Sequence, residues 1–248
     1  MFPQGDPDYA IPKADEGALR RNAKGPRTRK EDEEMQETPL IALILATRIE
    51  AEPFVQAISL ERAGESPLPV YRGEGVMLVI SGIGKTNAAI AVTYCCAAFH
   101  PQWIVNLGAA GSMNASFGLG EVCHITKVIE WDRPRLSSEG PHLHFPRVLQ
   151  GFREAVLATQ DRPVIDRGFR KEIGPHADLA DMEGAAVVQA ARTMGTPSVL
   201  FKFVSDTPDD GPDADIVERI RDHGPIFCRF VADSVFPALR KGVRPISP

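Results

Sequence analysis

Short, unbroken apolar runs recur along this chain from residue 40 onward, and each is followed by a polar or glycine-rich break. Residues 40–46 (LIALILA), 75–80 (GVMLVI), 103–107 (WIVNL), 121–129 (EVCHITKVI) and 198–205 (SVLFKFVS) are the clearest. Runs of this length without polar alternation read as strands buried on both faces. Residues 154–159 and 179–182 are weaker strand candidates. Between the runs lie segments with helical spacing or length, at 50–60, 85–99, 183–193 and 215–240. The last is expected to break near Gly224-Pro225, because proline removes a helix hydrogen bond. Strands alternating with helices predict an α/β fold around a largely parallel or mixed sheet.

Residues 1–38 differ from the rest. Charges of both signs are crowded, prolines are scattered, and large apolar residues are too few to offset ordering entropy. The expected division is a disordered charged tail over 1–38 and one catalytic domain over 39–248. The basic stretch 20–30 followed by the acidic stretch 31–37 also has the character of a partner-docking segment.

A formal net charge of −5 gives no global electrostatic case for nucleic acid or an anionic membrane. No apolar run approaches the ~18 residues of a membrane span, and the first residues lack the basic-then-apolar layout of a secretory signal. The four cysteines form no CxxC pair, so a reducing cytoplasmic setting is expected. His142 and His144 form an HxH pair with no third ligand nearby in sequence, so no metal is expected. His124, inside an apolar run, reads as a satisfied core residue.

Ligands of α/β sheets gather where strands end. Thr47-Arg48-Ile49-Glu50 follows the first run, Ser81-Gly82-Ile83-Gly84-Lys85 the second, and Gly108-Ala109-Ala110-Gly111 the third. Met182-Glu183 follows residues 179–181, and Ser205-Asp206 ends the last run. Carboxylates therefore stand at three of these strand ends, as Glu50, Glu183 and Asp206. Alone, each has a plainer reading: a helix cap, a first-turn charge or a tight turn. The turn 108–111 reads as a place where small residues let backbone approach a ligand.

Taken in order, ATRIEAE (46–52), SGIGKTNAA (81–89), VNLGAAGS (105–112), GEV…EWD (120–132), DMEGAA (181–186) and FKFVSD (201–206) resemble the nucleoside phosphorylase and nucleosidase superfamily. Within it, the chain is most similar to the methylthioadenosine/S-adenosylhomocysteine nucleosidases. The resemblance implies a three-layer α/β/α domain around a central mixed, partly barrel-like sheet. It implies cleavage of the N-glycosidic bond of a purine nucleoside, with no cofactor and with a homo-oligomer, dimer or hexamer, as the assembly. Asp206 matches the general acid that protonates the departing base, oriented by Ser205. Glu183 matches the residue that accepts hydrogen bonds from the ribose hydroxyls, with Met182 packed on the sugar. Glu50, rather than its competitor Glu52, matches the group that positions and deprotonates an attacking water. Lys202 stands where nucleosidases carry an arginine beside that water, and it lacks the planar fork. Ala109 and Gly111 lie in the ligand-facing turn, and Val164 falls where the family stacks an aromatic residue on adenine.

A phosphorylase on the same scaffold is the alternative, with inorganic phosphate as co-substrate. It needs cationic donors, for which Arg48 and Arg219 are the candidates. Related phosphorylases place an arginine where this chain has Asn106, as nucleosidases do. The DRPV stretch at 161–164 is similar to hopanoid-associated phosphorylases, which act on an adenosyl-lipid. The segment between Asp132 and Asp161 is short for a nucleosidase. A non-catalytic nucleoside-binding relative is the third reading, since fold alone does not set function.

Overall fold

The structure is a computed structural model that describes residues 41–133, 141–210 and 215–242. The charged segment 1–38 lies outside the described residues. Strand β1 (Ile41–Leu45) is fully buried and leads into helix α1 (Arg48–Ala57). Thr47 caps α1: its side chain accepts from Glu50 N, and the Glu50 side chain accepts from Thr47 N. Strands β2 (Glu61–Gly64), β3 (Val70–Gly73) and β4 (Val76–Ile80) follow, then helix α2 (Lys85–Phe99) and strand β5 (Trp103–Ser112). Next come β6 (Val122–Glu130), β7 (His142–His144), β8 (Glu154–Thr159), the short helix α3 (Arg167–Ile173) and β9 (Leu179–Asp181). The chain continues through helix α4 (Gly184–Thr193), strand β10 (Ser198–Asp206) and helix α5 (Ile216–Phe230). A π-helical stretch (Val231–Val235) then leads into α6 (Phe236–Gly242).

The described strands form one mixed sheet in the order β10-β6-β8-β9-β5-β1-β4-β3-β2, with β7 on β6. β5 also pairs with β10, so β5, β10, β6, β8 and β9 close into a ring while β1 to β4 extend from its side. Helices α1, α5 and α6 cover one face through Phe54, Phe227, Phe236 and Leu239. Helices α2 and α4 cover the other through Ala88, Ala91, Val92, Val187 and Ala191. This is the expected three-layer arrangement with a partly closed sheet.

Two local expectations are corrected. Residues 108–111 are strand, not turn: β5 keeps pairing with β10 through Gly111, and that ladder overrides the weak strand preference of small residues. The helix over 216–230 runs through Gly224-Pro225 unbroken, with Gly224 bare against Pro53 of α1. The HxH pair is strand β7, whose His144 faces Glu130 at 3.4 Å. Among the described residues no group of metal-ligating side chains forms, and no helix is long and apolar enough to cross a membrane.

Gly108 is where fold and site first meet. Its φ is +152°, and a Cβ there would stand 2.7 Å from Glu50 Oε1. Only glycine accepts both conditions. Gly108→Ala is expected to destabilise the fold by about 1–3 kcal/mol, the usual cost of overpacking. Chemical denaturation measures this, and an unchanged midpoint would mean that the strand can give way.

Candidate active site

Glu50 is buried, and its carboxylate collects donors from two elements. Oε2 accepts from Thr47 N at 3.0 Å and from Thr47 Oγ1 at 2.8 Å. Oε1 accepts from Ala109 N on β5 at 2.9 Å. The capping box that starts α1 thus also fixes the carboxylate against the sheet. Lys202 Nζ approaches the same bare spot over Gly108, 3.8 Å from where its Cβ would be.

A second cluster lies beneath the ends of β9 and β10. Lys202 is 1% exposed and its Nζ lies 2.9 Å from Asp181 Oδ2. Asp181 Oδ1 accepts from Thr159 Oγ1 at 2.6 Å, and Oδ2 also accepts at 2.9 Å from Gly184 N, the first residue of α4. Glu183 Oε1 accepts from Gly84 N at 2.8 Å, at the start of α2. Lys202 thus pairs with Asp181 and feels the charges of Glu183 and Glu50. Burial, and next the Asp181 charge, push the Glu183 carboxyl up to about 7, against the pull of Lys202 and of the Gly84 N–H. Burial opposes the Lys202 charge, but Asp181, Glu183 and Glu50 outweigh it and hold its pKa above the usual lysine value.

Asp206 is aimed by an irregularity. β10 pairs in register with β5 up to Val204↔Ala110, and then Asp206 pairs with Gly111. The slip at Ser205 turns Asp206 out of the Leu200, Lys202, Val204 series and onto the Gly111 side. A Cβ on Gly111 would lie 2.8 Å from Asp206 Oδ2, so the glycine makes room for it. Ser205 Oγ donates to Asp206 Oδ1 at 2.6 Å. Arg170, from α3, pairs with Oδ2 through Nη2 and donates from Nη1 to Ser112 O at 2.6 Å.

Glu50, Glu183 and Asp206 line one cavity of about 250 Å³. Met182, Ala109, Gly111, Ser205 and Val164 line it too, with Pro163 beside Val164. Lys202 does not line it; its head group pairs with Asp181, which does. Arg48 and Arg219, the expected phosphate ligands of a phosphorylase, also lie off the cavity. Arg48 is exposed and bonds Glu65 at 3.0 Å, whereas Arg219 forks onto Asp210 at 2.5 and 2.8 Å. Lys85 is taken up by Asp132 at 2.6 Å and Glu130 at 3.1 Å. His124 is a core residue: Leu149 N donates to its Nε2 at 2.9 Å, its Nδ1 faces Leu200 O at 3.0 Å, and burial holds it neutral. Sequence reasoning missed Asp181, Thr159 and Arg170. A lysine inside a fully buried strand was the signal for the first two, since it demands a buried acid nearby. Arg170 carries no such signal.

The model of the family described as "Phosphorylase superfamily" matches residues 40–161 and 153–235. The 5′-methylthioadenosine/S-adenosylhomocysteine nucleosidase of Bacillus pumilus (strain SAFR-032) is 27% identical over 162 residues, covering 55% of this chain and 70% of that protein. A Helicobacter pylori crystal structure of the enzyme with the same name superimposes with a TM-score of 0.73 at 18% identity, covering 82% of this chain and 100% of that one. The futalosine hydrolase of Helicobacter pylori superimposes with a TM-score of 0.72 at 17% identity, covering 81% and 98%.

The raised pKa of Glu183 has a thermodynamic consequence. Between its ordinary value of 4.5 and about 7, the folded state keeps a proton on Glu183 that the unfolded chain releases. Its contribution to stability is therefore full below 4.5 and is lost as pH rises through about 7. His124 and His144, whose pKa values burial lowers, act oppositely as pH rises toward 6.5. The difference between wild type and Glu183→Gln isolates the glutamate: wild type loses stability relative to the variant from pH 4.5 to 7. Parallel denaturation curves across this range would contradict the burial argument.

Proposed function

The chain belongs to the phosphorylase superfamily, and on that premise we propose that it hydrolyses the N-glycosidic bond of a purine nucleoside. Methylthioadenosine and S-adenosylhomocysteine are the proposed substrates, because the nucleosidases it is similar to carry those names. The observation that carries hydrolysis is the Glu50 carboxylate. Thr47 N, Thr47 Oγ1 and Ala109 N are donors between α1 and β5 that could hold an anion, and Glu50 takes all three. Phosphate would have to displace a buried carboxylate from them, with Asn106 rather than an arginine on β5 and with Arg48 and Arg219 paired elsewhere.

A carboxylate offers about four acceptor sites. Thr47 and Ala109 use three of the Glu50 sites, leaving one for a water proton. In the proposed reaction, the electrons of the C1′–N9 bond pass to the purine while Asp206 gives a proton to N7. The water oxygen bonds C1′, and its proton passes to Glu50. Ionised Glu183 accepts from the ribose hydroxyls and offsets positive charge on the sugar, as carboxylates do in glycoside hydrolysis. Met182 packs on the sugar, and Pro163 and Val164 give the base an apolar wall in place of an aromatic stack. Ile83 and Ile165, 54% and 61% exposed at the rim, suit an apolar 5′ substituent. That rim is also the surface a homo-oligomer would cover, and a cytoplasmic site of action belongs to the same proposal.

The test is base release from methylthioadenosine and S-adenosylhomocysteine in phosphate-free buffer. Free adenine is the expected product, and strict dependence on added phosphate would overturn hydrolysis. Asp206→Asn should lower kcat by at least ~100-fold, on general-acid magnitudes. Glu50→Gln should slow turnover while nucleoside binding persists. Full activity in either variant would remove that residue from its role.

A further inference from the structure

Helix α3 has only seven residues, and its buried side chains are Arg170 and Ile173. Ile173 packs into an apolar cluster with Met113, Ala158 and Ala180. The neighbouring position would be expected to carry another apolar residue, yet it carries an arginine that is 5% exposed. A guanidinium withdrawn from water is strongly unfavourable without charged and polar partners. Arg170 has two: the Ser112 carbonyl at 2.6 Å and the Asp206 carboxylate. Its planar fork suits such a pair of acceptors at fixed separation. Asp206 is the one carboxylate it pairs with among the described residues. The arginine does not line the cavity, so it reaches the acid from behind. It also ties the acid to the cavity wall, because α3 follows directly on Pro163, Val164 and Ile165.

We propose that Arg170 is a positioning residue for the departure of the base, holding Asp206 against Gly111 and receiving the negative charge left when Asp206 gives its proton to N7. This rests on the hydrolytic reading above. In the step itself a proton that Asp206 has first taken up from solvent moves to N7, the C1′–N9 electrons go to the purine, and the regenerated carboxylate is met by the Nη2 donor already in place. Ser205 Oγ stays on Oδ1, so the acid keeps its orientation while its charge changes.

The role separates from a merely structural one by leaving group. A nucleoside needs a proton on its base, whereas 4-nitrophenyl β-D-ribofuranoside releases a stable phenolate without one. Arg170→Met should lower kcat for methylthioadenosine about 10- to 100-fold, a share of the general-acid contribution, with KM little changed. The same variant should keep its rate on the nitrophenyl riboside within about threefold, which also shows that it folds. Arg170→Lys retains charge without the fork and should recover part of the nucleoside rate. Should Arg170→Met not fold, the lysine variant carries the test alone: a nucleoside-selective loss supports the role. Equal losses on both substrates, or an unchanged nucleoside rate, would overturn it. A wild-type protein that cleaves the nitrophenyl riboside but releases no base from any nucleoside would instead overturn the hydrolytic reading, and this inference with it.

Discussion

β5 hydrogen-bonds to β1 over Trp103 to Asn106, to β10 over Ile104 to Gly111 and to β9 at its end, and its last five residues, Gly108 to Ser112, carry nothing larger than a hydroxymethyl group. That bareness at the crossing point of the sheet is the constraint on which the site depends. Carboxylate oxygens of Glu50 and Asp206 lie 2.7 and 2.8 Å from where Gly108 and Gly111 would carry side chains. Two acids from distant parts of the chain can therefore lie against one strand. One takes a backbone N–H from it, and the other is seated by an arginine that also grips its carbonyl.

The remaining charges follow from the same crowding. Glu183, Asp181 and Glu50 surround a single buried lysine, and Asp181 takes its closest contact. The consequence falls on Glu183, which holds its proton up to about pH 7 and so stands between its two charge states at neutral pH. Buried charges of this kind are costly, and their presence at strand ends around a cavity fits a site that must stabilise charge developing on a substrate. Elsewhere the core is conventional, with aromatic and aliphatic side chains filling the layers on both faces of the sheet.

Much of this was legible in the sequence. Buried strands declare themselves as unbroken apolar runs, and Glu50, Glu183 and Asp206 stand out because each follows such a run. The hidden parts have physical reasons. The extension of β5 through Gly108 to Ser112 is imposed by its partner β10, not by its own residues. Arg48 and Arg219 sit at suggestive places in the chain, but Glu65 and Asp210 claim them, and linear spacing does not tell which acid lies nearest in space. Arg170 lies in a helix too short to show periodicity, among neighbours that are mostly exposed. The slip at Ser205 is likewise invisible, although it brings Asp206 opposite Gly111.

The Glu50 carboxylate takes the donors between α1 and β5, which in the proposed reaction leaves water as the nucleophile. The most direct test is phosphorus NMR of a completed reaction on methylthioadenosine with inorganic phosphate in large excess. All phosphorus is expected to stay inorganic while the sugar appears as the free reducing pentose. A sugar 1-phosphate resonance growing in step with adenine would contradict it.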